Sequence, residues 1–89
     1  MSELQSFIVG SQQCAALFRL GHDVEAGLTM VELISPVQVS FDQASKDAQQ
    51  QWVFLLGLML DCQEAQNWLA LADYLEYELV QLMTDTLSF

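Results

Sequence analysis

The sequence predicts an all-α protein, an antiparallel bundle of about four helices arranged as two helical hairpins. Three observations lead there. Apolar residues recur at helical spacing in four separate segments. Val/Ile/Thr alternation is sparse and no Asn-Gly or Asp-Gly turn occurs, so strand signals are weak. The connections are short, which favours antiparallel neighbours. At 89 residues, the chain is expected to form one helical domain spanning 1–89.

The first segment covers about Ser2 to Leu20. Leu4, Phe7, Ile8, Cys14, Ala15 and Phe18 fall close to one apolar face. Ser2 with Gln5 three residues on has the form of a capping box. Gly21 suits the left-handed position that ends a helix. The second segment starts near His22 or Asp23, with Asp23 and Glu25 complementing the helix dipole in its first turn. Val24, Leu28, Val31 and Ser35 form its stripe, which Met30, Leu33, Ile34 and Val37 broaden. Pro36 disfavours helical geometry at Ser35, so a kink or break is expected there, with a last turn to about Ser40.

The linker Ser40 to Ser45 carries turn-prone Ser and Asp. The third segment runs from about Lys46 to Ala65. Its middle, Trp52 to Leu60, is the longest apolar run, far short of the roughly 20 residues that cross a membrane. Gly57 costs a helix about 1 kcal/mol and suggests a close crossing by a neighbouring helix. The fourth segment runs from about Asn67, a natural N-cap, to Thr86. Trp68, Leu71, Ala72, Leu75, Leu79, Leu82 and Met83 form its core stripe, with Asp73, Tyr77, Gln81 and Thr84 on the other side.

Composition narrows the function. The chain is 53% hydrophobic and 16% charged, which excludes disorder. That is more apolar material than a small core consumes, so part of it should surface as an interaction patch. Arg19 and Lys46 are the only Lys or Arg residues against 12 Asp and Glu, for a net charge of -10. Such a chain repels phosphate, which excludes nucleic acid and disfavours anionic membranes. Acidity also serves to keep an apolar small protein soluble. The N-terminus lacks the basic region of a secretory signal, so a cytoplasmic location is expected, with Cys14 and Cys62 reduced.

Chemistry-bearing constellations are sparse. The two cysteines form no CxxC or Cys/His cluster, so neither zinc nor another cofactor is expected. His22 is the sole histidine and reads as a solvated loop residue. Asp73 and Glu76, spaced i, i+3, share a helix face, but no Glu-x-x-His pair accompanies them, and a hydrolytic carboxylate pair would need a cleft that a bundle this small scarcely offers. The structural reading is an ion pair from Arg19 to Asp73 or Glu76, tying the first helix to the last. The chain is therefore not expected to be an enzyme.

The aromatic residues point to protein binding. Trp52, Phe54, Trp68, Tyr74, Tyr77 and Phe89 lie on or beside the last two helices, where such residues are usually core. Trp and Tyr also dominate protein interfaces. Trp52, Val53, Phe54 and Leu55 point to all sides of their helix, so at least one should face solvent or a partner. Partner binding is assigned on this basis to Trp52, Phe54, Trp68, Tyr74 and Tyr77.

The stretch Asp61 to Leu82, through Glu64-Ala65, Trp68, Leu71-Ala72-Asp73 and Leu75-Glu76-Tyr77-Glu78-Leu79, resembles a group of small bacterial helical proteins from flagellar and flagellin-modification loci. Ala15 to Ala26 resembles that group's first helix, glycine turn and second helix. The resemblance implies a cytoplasmic accessory protein akin to flagellar export chaperones, which are small acidic helical bundles. The chain departs from the pattern where such sequences often carry a proline after Leu79, having Val80-Gln81 instead. The resulting expectation is an adaptor or chaperone-like protein that holds an apolar segment of a partner protein. The alternative is a homodimer, structural or regulatory, whose own copy covers the apolar excess.

Overall fold

The computed structural model describes residues 2–87. Helix α1 (Glu3–Arg19) is followed by α2 (Asp23–Asp42) and α3 (Lys46–Glu64). The fourth helix is continuous but not uniform. It consists of α4 (Trp68–Asp73), a π-turn (Tyr74–Glu78) and α5 (Leu79–Leu87). The described residues contain helices and turns and no strand. The bundle measures 34 × 27 × 19 Å. Helix α1 packs between α2 and the fourth helix, and α3 closes the other side against both.

Local chemistry sets most of the boundaries. Ser2 and Gln5 make the capping box: the Gln5 amide donates to Ser2 Oγ and the Ser2 amide to Gln5 Oε1. At the other end of α1, Gly21 takes φ 78°. The His22 amide reaches back to the Leu17 carbonyl and the Gly21 amide to that of Phe18, the paired bonds of a Schellman motif. The α3–α4 connection repeats this device without glycine. Gln66 takes φ 57°, and the Asn67 amide donates to the Cys62 carbonyl. Asn67 then caps α4 through its side chain.

Of the kink or break expected at Pro36, the break does not occur: α2 runs through the proline to Asp42. Proline removes the donor that the Glu32 carbonyl would have used. Glu32 and Pro36 both lie on the solvent side, so water can serve that carbonyl. On the inner side, Val37 and Phe41 are fully buried and hold the last turns in place.

The stripe read for α2 also needs correction. Its core residues are Ala26, Met30, Leu33, Val37 and Phe41, whereas Val24, Leu28, Val31 and Ser35 face solvent. The helix is apolar on two opposite faces, and periodicity alone does not choose between them. The fourth helix follows its expected stripe: Leu71, Ala72, Leu75, Leu79, Leu82 and Met83 are buried, and Asp73, Tyr77, Gln81 and Thr84 are exposed.

Two ring stacks join the hairpins. Phe41 and Trp52 lie 5.1 Å apart and nearly parallel, and Phe18 and Trp68 lie 5.5 Å apart. Burying a large apolar side chain contributes about 1.5–3 kcal/mol, so these pairs anchor the two seams of the bundle.

Candidate protein-binding surface

The aromatic residues assigned to partner binding separate into three groups. Trp52 is not available to a partner: it is 1% exposed, stacked on Phe41, and its indole N–H donates to Gln38 Oε1 at 2.6 Å. Its hydrogen-bond need is met inside the bundle, the usual condition for burying tryptophan. Trp68 is half-buried against Phe18. Phe54 is 70% exposed on the outer face of α3. Tyr74 and Tyr77 come together with Ala70, Asp73 and Glu78 around an open depression of about 390 Å³ on the π-turn. Phe89 lies outside the described residues.

The structure makes the expected ion pair and uses both carboxylates. Arg19 Nη2 donates to Asp73 Oδ1 at 2.8 Å and to Glu76 Oε2 at 2.9 Å. The two contacts hold the guanidinium charge more firmly than usual, Asp73 contributing most. Tyr77 beside them has its phenol pushed up, chiefly by the neighbouring Glu76 carboxylate. This cluster fastens the end of α1 to the π-turn.

The π-turn is a feature that residue spacing did not reveal. The Leu79 amide bonds to the Tyr74 carbonyl, five residues back. In an α-helix it would have served the Leu75 carbonyl. The buried Ser11 hydroxyl of α1 donates to that Leu75 carbonyl instead. Ser11 lies between Phe7 and Cys14 on the inner face of α1 and is the buried polar residue of the core.

Several side chains read from the sequence are not gathered into a site. His22 is exposed at the start of α2, with Nδ1 3.6 Å from Glu25 Oε2. Cys14 and Cys62 are free thiols. Cys14 is fully buried and its thiol is pushed up to about 11 by that burial. Among the described residues, no three His, Cys, Asp or Glu side chains gather to hold a metal ion. The larger depression, about 610 Å³, lies at one end of the bundle between Leu4, Phe7, Ser40 and Leu87, and Glu3 is its carboxylate.

Two outer faces remain. On α2, Val24, Leu28, Val31 and Val39 are 59–80% exposed and follow one another at helical spacing, opposite the core stripe. The exposed carboxylates of Glu25, Glu32 and Asp42 accompany them. On α3, Val53 and Phe54 are 63% and 70% exposed, with Leu60 at 46%. Gly57 lies among them, and a Cβ built there would meet nothing within 4 Å. The close crossing expected at Gly57 is therefore not made among the described residues. Helices apolar on both sides are usually covered on both, and here the second side of each is open.

Fold and surface together define an acidic, all-α four-helix bundle with two uncovered apolar faces. No protein-family model, curated protein or solved structure matches the chain. Among the described residues, no helix is long and apolar enough to cross a membrane.

Proposed function

We propose that this protein is a non-catalytic adaptor or chaperone-like bundle that holds an amphipathic helical segment of another protein against the outer face of α2. The observation that carries the reading is the exposed stripe Val24, Leu28, Val31 and Val39. It has the spacing with which a helix receives another helix. Burial there contributes about 25 cal/mol per Å² of apolar surface. Glu25, Glu32 and Asp42 beside the stripe favour a partner with basic residues flanking its apolar ones and speed their encounter. The resemblance to accessory proteins of flagellar loci agrees with this reading, in which the partner would be a protein awaiting export and the place of action the cytoplasm.

The test is a tagged pull-down from lysate of the host cell, comparing the wild type with a Leu28→Asp/Val31→Asp double variant. Both positions are exposed, so the variant should fold with an unchanged circular dichroism spectrum. A stoichiometric partner held by the wild type, released by the variant and raising the wild type's Tm supports the reading. Capture that is equal for both, or no capture, overturns it.

A further inference from the structure

The outer face of α3 is built for a different occupant. It offers exposed Val53, Phe54 and Leu60 around an exposed helical glycine. A glycine in mid-helix weakens the helix, and its use is to let another backbone approach closely. No described element of this chain approaches Gly57, so among the described residues that space is left for a neighbour from outside. Residues 48–60 contain no charged side chain. A basic partner would find no carboxylate to pair with along this stretch, unlike the acid-flanked stripe of α2.

We propose that the occupant is a second copy of this chain, with the two α3 helices crossing antiparallel at Gly57 about a two-fold axis. That arrangement sets Phe54 of one copy opposite Leu60 of the other. It also brings the Lys46 and Gln50 end of each helix towards Asp61 and Glu64 of its partner. Lys46, Gln50, Asp61 and Glu64 are all placed on the solvent side or its margin, and Lys46 has no ion-pair partner among the described residues. A parallel pairing would instead set the acidic ends against each other. The antiparallel form sets Lys46, with Asp47 beside it, towards Asp61 and Glu64 at both ends, so that acidic end does not meet acidic end, and leaves the neutral, apolar middle to close on itself. It uses a face separate from the α2 stripe, so it stands or falls independently of the proposed function.

The test is sedimentation equilibrium and light scattering on the wild type and four variants over a range of concentrations. The wild type should form a species of twice the 10.0 kDa chain mass. Phe54→Glu should give a folded monomer. Lys46→Glu should weaken the dimer about tenfold, one unit of affinity on the scale where each decade is 1.4 kcal/mol. Gly57→Ala is the sharpest variant. It should raise the Tm of the dilute monomer, because alanine is the better helix former and meets no neighbour, while weakening the dimer at least as much as Lys46→Glu. A glycine without an outside neighbour would show the first effect and not the second. Leu28→Asp should leave the dimer intact. A wild type that stays monomeric at high-micromolar concentration overturns the proposal. So does a dimer that survives Phe54→Glu or dissolves on Leu28→Asp.

Discussion

Replacing Ser11 by alanine removes one oxygen atom from the centre of the bundle and tests what holds the π-turn. The serine is fully buried, and its hydroxyl donates to the Leu75 carbonyl. That carbonyl has lost its α-helical donor, because the Leu79 amide reaches past it to Tyr74. A neutral hydrogen bond contributes about 0.5–1.5 kcal/mol net, and a buried acceptor left without a donor costs about 1–3 kcal/mol. Alanine leaves almost no void, so a cavity penalty adds little. The expected loss is about 1–2 kcal/mol. For a domain of this size each kcal/mol moves the Tm by roughly 4–8 °C, so Ser11→Ala should melt about 5–15 °C lower. Thermal and urea denaturation followed by circular dichroism would measure it, with Ser35→Ala on the exposed side of α2 as a control. If Ser11→Ala melted within a degree of the wild type, the hydroxyl would not be what satisfies the turn.

Gln66 occupies a left-handed position, φ 57°, in the α3–α4 connection. Glycine adopts it without the steric cost that a side chain carries, so Gln66→Gly should stabilise by about 0.5–1 kcal/mol in urea denaturation; a loss would show that the side chain contributes more than the backbone strain removes. The Cys14 thiol, raised from 9.0 to about 11 by burial, keeps its proton in the folded state after the unfolded chain has lost it. Its contribution is fully present below about pH 9 and is lost as the pH rises through about 11. Between those values the urea midpoint of the wild type should fall more steeply than that of Cys14→Ala, and equal slopes would refute the burial argument. At pH 8 a thiol reagent should label Cys62 and leave Cys14 untouched until the chain unfolds.

Helix ends were legible in the sequence because they are made by neighbours in the chain. Ser2 with Gln5, Gly21 and Asn67 each act over a few residues, and each appears where its chemistry places it. The Arg19 pair was legible for a different reason: with two cations against 12 acids, few pairings exist. The face of α2 was not legible, since apolar residues occupy both sides and the choice depends on which side α1 and α3 cover. Trp52 was misassigned for the same reason. One member of the Trp52–Leu55 run had to face out, and the structure turns out Val53 and Phe54. The π-turn left no local mark, because its support comes from Ser11, 64 residues before Leu75.

The widened turn in the fourth helix also bears on how the chain can change its length. A π-turn is the form an α-helix takes when it absorbs one extra residue while the segments on either side keep their seats. Here those seats are Leu71 and Ala72 before the turn, and Leu79, Leu82 and Met83 after it. The surplus is carried on the solvent side, at Tyr77 and Glu78. Shortening the helix by one of these residues would return the turn to ordinary α-helical winding without moving the core. The bundle thus has one place where a single-residue deletion, elsewhere ruinous to helix register, can be absorbed.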